Sequence, residues 1–148
     1  MPSAHLLAVN LGRPRPDGEG GLTGIHKAPV DGPVTLREPG TRLEGLGSGV
    51  VGDAVCERRH HGGTDQAVYA AAQDELAHWG AEIGRELAPG SFGENLTTHG
   101  LDVDGALVGE IWRIGDTVRL QVTGPRIPCS KFARAIDEPR WVKRFTER

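Results

Sequence analysis

The chain of 148 residues is long enough for one domain with a buried core. Its 17 Lys and Arg residues are outnumbered by 20 Asp and Glu, and the net charge of −3 argues against a protein that binds nucleic acid through its charge. Three Trp, one Tyr and three Phe are too few for a base-stacking surface. Nucleic acid is therefore not an expected partner.

Membrane attachment and disulfide chemistry are not expected either. No stretch approaches the roughly 20 apolar residues of a membrane span, and the first residues lack the pattern of a secretory signal. Cys56 and Cys129 are far apart and form no Cys-x-x-Cys motif, which argues against a thiolate zinc site and a disulfide framework. We expect a cytoplasmic protein with reduced thiols and no membrane partner.

The glycine and proline content predicts a β-rich fold. The 22 Gly and 10 Pro interrupt the chain every few residues, which is typical of short strands joined by tight turns. That spacing favours a sandwich or barrel over a helical bundle. With no internal repeat and no domain boundary in view, residues 1–148 are expected to form a single domain. Its predicted class is mainly β with a few helices (α+β).

The N-terminal part is predicted to alternate between extended segments and loops. Four extended segments are predicted, at His5–Asn10, 22–30, 33–38 and 54–60. A Gly/Pro/acid loop covers residues 12–21, a turn covers residues 31–33, and residues 39–49 form another loop.

One helix is predicted from its apolar spacing. The apolar residues recur at intervals of four, three and four: Ala72, Leu76, Trp79 and Ile83. Asp74 and Glu75 lie in the first turn, where acidic side chains are favoured. Gly84 is the predicted stop.

The C-terminal third is predicted to contain a strand and two short helices. Val118, Leu120 and Val122 alternate with polar residues, which is typical of a half-buried strand. Short helices are predicted over residues 130–136 and 139–148.

Cys129 is the first candidate for chemistry. In the stretch GPRIPCSKF it follows Pro128 and lies near Arg126 and Lys131. Nearby cations and a helix start lower the pKa of a thiol, and the thiolate is the form that attacks or binds metal. An inert, buried cysteine is the competing interpretation. Cys56 lacks such a frame and is interpreted as structural.

The stretch RRHHGG, at 58–63, is a second candidate. Adjacent histidines on an extended segment point to opposite faces, so His60 and His61 are not expected to chelate one metal together. One of them is a candidate contact for an anion or a substrate. A turn with solvated charges explains the same residues equally well.

Two further features are candidates for binding a phosphate. In PGSFGENLTT, at 89–98, backbone amides and short polar side chains can hold a phosphate or the edge of a pterin, although the Gly-Lys-Ser/Thr of a Walker loop is missing. Lys27 can offer a positive charge. An ordinary turn and a solvated surface lysine are the alternatives left open.

Four segments taken in order resemble one known family: GIHKAPVDGPV, HHGGTDQAVYA, PGSFGENLTTHGL with IGD, and VTGPRIPCSKF. Together they resemble the MOSC domain, named for the C-terminal part of molybdenum cofactor sulfurase, and within it the YiiM-like branch. The resemblance covers nearly the whole chain. The combination of HGG-x-D, FGENLTT and PR-x-PC is specific, whereas each piece alone is not.

The resemblance implies a β-rich, barrel-like fold and a molybdenum cofactor (molybdenum–pterin) whose metal is bound by a cysteine thiolate. The cysteine of PR-x-PC corresponds to Cys129. Family members reduce N-hydroxylated small molecules to amines with electrons from a separate reductase. An older view of the family makes the same cysteine a persulfide carrier. Both roles need a thiolate, which is a suitable ligand for molybdenum.

The resemblance also implies a set of site residues. Those expected to face the anionic cofactor are Lys27, Gly93, Glu94, Asn95, Thr97, Thr98 and Arg126. His61 and Asp65 are expected on the substrate side, and Cys129 is the expected metal ligand.

Two departures from the family pattern bear on activity. Gln66 stands where a basic residue is usual, and the chain stops at Arg148, where related proteins continue. The expectation is a single MOSC domain over residues 1–148 without the usual C-terminal extension. Three functions remain open: an oxidoreductase for N-hydroxylated substrates, a carrier of sulfur or cofactor without turnover, and a β-domain that binds only a protein partner.

Overall fold

The structure is a computed structural model that describes residues 3–148. The strands are β1 (His5–Gly12), β2 (Arg15–Pro16), β3 (Leu22–Thr23), β4 (Lys27–Pro29), β5 (Ala70–Ala72), β6 (Leu96–His99), β7 (Ile111–Ile114) and β8 (Val118–Gln121). The helices are α1 (Gln73–Ile83), α2 (Ser130–Ile136) and α3 (Trp141–Thr146), and a 3-10 turn covers Thr64–Gln66.

A four-stranded sheet in the order β4-β1-β6-β5 is the centre of the fold. β1 is antiparallel to both of its neighbours, whereas β5 and β6 are parallel. β2–β3 and β7–β8 are separate antiparallel hairpins. The predicted mainly β fold with a few helices is confirmed. The strands of residues 3–148 form open sheets and do not close into a barrel.

Three of the predicted extended segments differ from the structure. Residues 22–30 divide into β3 and β4, and residues 33–38 contribute only a bridge between Leu36 and Val50. Residues 54–60 belong to no strand. There the Glu57 carboxylate accepts hydrogen bonds from the two backbone N–H groups that follow at positions 59 and 60, at 2.9 and 3.1 Å, and so turns the chain locally.

The predicted helix is confirmed as α1. It ends at Gly84, which has a φ of 75° and closes the helix in the left-handed conformation. Its buried side packs against the aromatic residues of α2 and α3, and the rings of Trp79 and Trp141 are 4.8 Å apart. The core consists of Ala71, Leu76, Trp79, Leu87, Phe92, Phe132, Ile136 and Trp141.

Both C-terminal helices are shorter than α1, and their buried residues belong to the same core as Ala71 of β5. α2 and α3 pack against each other, and Cys129, immediately before α2, lies partly buried against the core. In the described part of the chain, no helix combines the length and apolarity that a bilayer span requires.

Candidate functional site

Cys129 lies at the start of α2 with its thiol held by three polar neighbours. Burial raises the pKa of the Cys129 thiol, but a hydrogen bond with the His61 side chain, a hydrogen bond from the Phe132 backbone and the charge of Arg126 together lower it to about 7. A large part of the thiol population is therefore thiolate at neutral pH.

The second cation expected near Cys129 makes other contacts. Lys131 Nζ donates a 2.8 Å hydrogen bond to the Leu22 carbonyl and lies 3.6 Å from the Asp17 carboxylate. Arg126 is thus the nearby cation that acts on the Cys129 thiol.

Arg126 packs against two aromatic rings. Its guanidinium carbon is 4.9 Å from the centre of the Tyr69 ring and 4.6 Å from the centre of the Phe132 ring. Its Nε is buried without a hydrogen-bond partner. No carboxylate among residues 3–148 forms an ion pair with it. The pKa of the Tyr69 phenol is raised far above its usual range, and burial is the largest cause of this shift. The Tyr69 side chain therefore stays neutral.

The two histidines have different environments. His60 is exposed and its Nδ1 lies 2.9 Å from the Glu57 carboxylate, whereas His61 is half-buried and contacts the Cys129 thiol. The expectation that they do not act as one chelating pair agrees with this geometry, although they lie in a turn and not on an extended segment.

The polar residues that precede and open β6 are mostly enclosed in the fold. The Glu94 carboxylate is fully buried and accepts hydrogen bonds from the backbone N–H groups of Gly90 and Phe92, at 2.6 and 2.9 Å, and from the Thr97 hydroxyl at 2.9 Å. Burial raises the pKa of Glu94. Asn10 donates to the Thr97 oxygen at 2.9 Å, which ties β1 to β6.

Asn95 and Lys27 meet at one buried carboxylate. Asp53 lies 2.8 Å from Lys27 Nζ and accepts a 2.8 Å hydrogen bond from the Asn95 side chain. The Lys27 and Asp53 side chains are only 8% and 3% exposed, and the ammonium also donates to the Gly24 carbonyl at 2.9 Å. Lys27 is therefore paired within the fold. The sequence suggested either a contact with phosphate or a solvated surface lysine, and neither interpretation included this pairing.

Two other predicted residues of this loop differ from their neighbours. Thr98 is 8% exposed, and its hydroxyl is buried without a hydrogen-bond partner. Gly93 has a φ of 75°, and an added Cβ would lie 2.8 Å from the Ile25 side chain. Only glycine therefore fits there without strain.

An open cleft of about 1440 Å³ lies beside Arg126, between the β5–α1 side of the sheet and the β7–β8 hairpin. Tyr69, Arg126 and Pro128 line it near the cysteine, and Asp65 lies exposed on its wall. The 2.6 Å hydrogen bond from the Thr123 hydroxyl to the Asp65 carbonyl holds that segment against the hairpin side. The cleft is large enough for a small-molecule ligand.

A carboxyl pair forms another part of the cleft wall. Glu75 and Asp104 lie close enough for each to shift the pKa of the other, and Arg148 binds Glu75 through two contacts of 2.8 and 3.0 Å. Burial first, then the contact with Glu75, raises the pKa of Asp104 to about 6. The predicted first turn of α1 contained Glu75, but nothing in the sequence marked Asp104 as its partner.

The structure brings Cys129, His61 and Arg126 together and places Asp65 on the adjoining cleft. It encloses Lys27, Glu94, Asn95 and Thr97 in contacts within the fold. Sequence reasoning did not identify Tyr69 and Phe132, which enclose Arg126. A tyrosine 57 positions before an arginine gives no local signal of contact. Within residues 3–148, no group of three His, Cys, Asp or Glu residues is arranged to hold a metal ion.

Comparison with known proteins gives consistent matches. The family model of the MOSC domain matches residues 57–148. YflK of Bacillus subtilis (strain 168) is 33% identical over 132 residues, which cover 87% of this chain and 55% of YflK. YiiM of Escherichia coli (strain K12) is 35% identical over 118 residues, which cover 77% of this chain and 48% of YiiM.

A protein of Gibberella moniliformis (strain M3125 / FGSC 7600) named "Reductase" is 35% identical over 144 residues, which cover 94% of this chain and 24% of that protein. Among solved structures, YiiM from Geobacillus stearothermophilus has a TM-score of 0.72 and 29% identity, covering 98% of this chain and 63% of that one. YiiM from Escherichia coli has a TM-score of 0.66 and 25% identity, covering 99% and 58%. The chain thus spans between 24% and 63% of the length of these proteins.

Proposed function

Because this chain belongs to the MOSC domain family, we propose that it binds a molybdenum–pterin cofactor through the Cys129 thiolate and reduces N-hydroxylated small molecules. The geometry that carries the proposal is the place of Cys129 at the start of α2, close to His61 and Arg126, where the pKa of its thiol is lowered to about 7. A soft thiolate is a suitable ligand for molybdenum. The match to a reductase of similar sequence supports the same reaction class.

The reaction needs two electrons and two protons. The N–O bond of a hydroxylamine breaks, one new N–H bond forms, and the oxygen leaves as water. When bound, the cofactor supplies the electron transfer, and the electrons come from a separate reduced donor protein. The chain itself orients the substrate in the open cleft and holds the thiolate in place through His61 and Arg126.

Among the residues expected to face the cofactor, Arg126 and Thr98 each have a buried polar atom without a hydrogen-bond partner in the fold. Arg126 can face an anionic group, and the Thr98 hydroxyl is buried without a partner. Contact by Lys27, Glu94, Asn95 and Thr97 stays a prediction, and the bonds they make within the fold point to a scaffolding role. Asp65, on the cleft wall, remains the candidate on the substrate side, beside His61.

A carrier of sulfur or cofactor is the second candidate. A thiol with a pKa near 7 is a good nucleophile as well as a metal ligand, so the same geometry suits a persulfide on Cys129. The two candidates differ in what Cys129 carries in the cell. A cytoplasmic location is part of the proposal for both, since both require a reduced thiol.

The deciding experiment is elemental analysis for molybdenum in protein produced by a host that makes the cofactor. We expect about one molybdenum per chain in the wild type and none in Cys129→Ser, in line with a single thiolate ligand. Cys56→Ser is the matched control and should retain the metal. Metal retained in Cys129→Ser would contradict the proposed ligand.

Protein without metal but with a mass increase of one sulfur atom on Cys129 would favour the carrier. Metal-loaded protein that consumes no hydroxylamine with a reduced donor present would favour a cofactor carrier. A partner-binding β-domain predicts neither modification nor metal, and unchanged partner binding in Cys129→Ala.

A further inference from the structure

Two histidines lie directly opposite each other where β1 and β6 pair. The register places His5 of β1 against His99 of β6, and both residues are exposed. Their ring centroids are 5.2 Å apart, with an angle of 54° between the ring planes. Residues that lie directly opposite in an antiparallel pair point to the same face of the sheet, so the two imidazoles are presented side by side to solvent.

A β-bulge in β1 creates this pairing. Ala8 lies opposite Thr97, and an uninterrupted ladder would carry that register on toward the start of β1. It would then place Leu6 opposite His99. The register instead shifts between Leu6 and Ala8, so His5 takes that position. Redirecting a side chain in this way is a common effect of a bulge.

The spacing of the two rings suits a tetrahedral metal ion. A zinc–nitrogen bond of about 2.0–2.1 Å places the ion roughly 3.2 Å from the centroid of each imidazole that binds it. Two imidazoles bound at the tetrahedral angle then have centroids roughly 5.2 Å apart. The centroids of His5 and His99 are separated by the same distance.

The hydrogen bond of His5 fixes which of its ring nitrogens can bind a metal. His5 Nδ1 lies 3.2 Å from the Ser3 carbonyl oxygen, which can only accept a hydrogen bond. Nδ1 therefore carries the proton, and in the neutral ring the free lone pair is on Nε2. Histidine ligands of metals commonly donate their other ring N–H to a carbonyl, because this bond fixes the tautomer and the direction of the ring.

A pair of imidazoles selects one class of metal. Imidazole is a good ligand for Zn²⁺, Cu²⁺ and Ni²⁺, whereas Mg²⁺ and Ca²⁺ prefer oxygen ligands. Among residues 3–148, no third His, Cys, Asp or Glu completes a group that could hold a metal ion. A site made of His5 and His99 therefore leaves its other coordination positions to water, and it binds metal more weakly than a closed four-ligand site.

We propose that His5 and His99 form a two-histidine site for a divalent late transition-metal ion, and Zn²⁺ is the probe that tests it. The site uses neither Cys129 nor any residue expected to face the cofactor, so it goes beyond the proposed function and does not depend on it. Because His5 and His99 are far apart in the unfolded chain, metal bound to both ties β1 to β6 and stabilises the native state.

Calorimetric titration of tag-free protein with zinc chloride tests the site. A Cys56→Ser/Cys129→Ser background removes the two thiols, which also bind zinc. We expect about one zinc per chain with a dissociation constant of about 10–100 µM, and no binding of Mg²⁺ in the same range. Absence of saturable zinc binding up to about 1 mM would overturn the proposal. If circular dichroism shows that this background is unfolded, wild-type protein with both thiols alkylated takes its place.

Single and double substitutions distinguish a chelating pair from two independent rings. His5→Asn and His99→Asn should each weaken zinc binding at least about tenfold, because either change destroys the pair. The double variant should be within about twofold of the single variants. Small losses that add up in the double variant would overturn the proposal.

His60→Asn is the matched control. His60 is also exposed, but its Nδ1 contacts the Glu57 carboxylate at 2.9 Å and its place is in a turn. This variant should keep zinc affinity within about twofold. A loss equal to that of His5→Asn would contradict the assignment of the site.

The stability of the fold tests whether bound metal ties the strands together. In about 1 mM zinc, urea unfolding should show an equilibrium constant for folding that is about 10–100-fold higher, as mass action gives for that affinity. The same zinc concentration should change the constant less than about twofold in His5→Asn/His99→Asn. An equal effect of zinc on both proteins would overturn the proposal.

Discussion

Two regions of the molecule differ in how their polar groups are paired: the buried network between β1 and β6, and the surroundings of Cys129. In the network, Asp53 accepts from Lys27, Asn95, Ser48 and the Gly12 backbone. Beside Cys129, Arg126 has aromatic neighbours and no anion. The bonds of Asp53 join distant segments of the fold, whereas Arg126 lies where an open cleft gives a ligand access to it.

This comparison also separates the residues of one motif. In FGENLTT, the side chains of Glu94, Asn95 and Thr97 are bonded within the fold, whereas the Thr98 hydroxyl is not. A motif that looks like a ligand-binding loop in the sequence therefore contains mainly scaffolding side chains, with its free group at one end. The predictions below test that division, beginning with the largest effect.

Removal of the central carboxylate should have the largest effect. Asp53→Ala leaves the Lys27 ammonium buried and unpaired, so we expect a loss of about 3–5 kcal/mol in the free energy of unfolding, measured with urea. Asp116→Ala, which removes an almost fully exposed partner of Arg113, should cost less than about 0.5 kcal/mol. Equal losses of stability in the two variants would show that the ion pair of Lys27 with Asp53 contributes no more to stability than an exposed pair does.

Glu94→Gln should cause the next largest loss of stability. The amide of Gln replaces one of the two acceptor oxygens with an NH₂ donor, which then faces either the Gly90 or the Phe92 backbone N–H, so we expect a loss of about 1–3 kcal/mol. Thr97→Val removes one hydroxyl from the same network and should cost about 1 kcal/mol. Urea unfolding measures both, and unchanged stability of Glu94→Gln would show that the carboxylate is not needed by the fold.

The Cys129 thiol should show its lowered pKa in its rate of alkylation. In a Cys56→Ser background, the rate with iodoacetamide should rise with pH about a midpoint near 7. His61→Leu removes the hydrogen bond that lowers the pKa, so the midpoint should move to higher pH.

The other cysteine provides the internal reference for that experiment. Burial raises the pKa of Cys56, so in a Cys129→Ser background the remaining thiol should react only at more alkaline pH. An unchanged midpoint in His61→Leu would mean that the histidine does not act on the Cys129 thiol.

The smallest effect concerns the carboxyl pair on the cleft wall. The pKa of Asp104 is raised to about 6, so the native state binds its proton more tightly than the unfolded state does. Stability therefore falls as the pH rises from the unfolded pKa of about 4 to about 6, and the loss is complete above that range.

Asp104→Asn removes this penalty. Because the group is partly exposed, we expect a gain of less than about 1 kcal/mol at pH 8 and almost none at pH 4, by urea unfolding. Asp116→Asn should show no such pH dependence. A loss of stability in Asp104→Asn at pH 8 would contradict the sign of the shift.

Local patterns in the sequence predicted several elements and the family. The four-three-four apolar spacing predicted α1, and the alternation at residues 118–122 predicted β8. Both patterns depend on the repeat of a single element, which a few consecutive residues record. The ordered motifs around Gly62, Glu94 and Cys129 were enough to recognise a MOSC domain.

Other properties were decided only by tertiary structure. The parallel pairing of β5 with β6 places Tyr69 beside the FGENLTT loop, and the segment that precedes α2 brings Arg126 against its ring. The effect of His61 on the Cys129 thiol and the pairing of Lys27 with Asp53 likewise depend on residues that are distant in the sequence. Sequence periodicity indicates which side of an element faces inward, but it does not indicate which distant side chain that side contacts. Local patterns of sequence therefore determined α1, α2 and β8, because each depends on a few consecutive residues, while the packing of the sheet decided which polar groups are bonded within the fold and which are not.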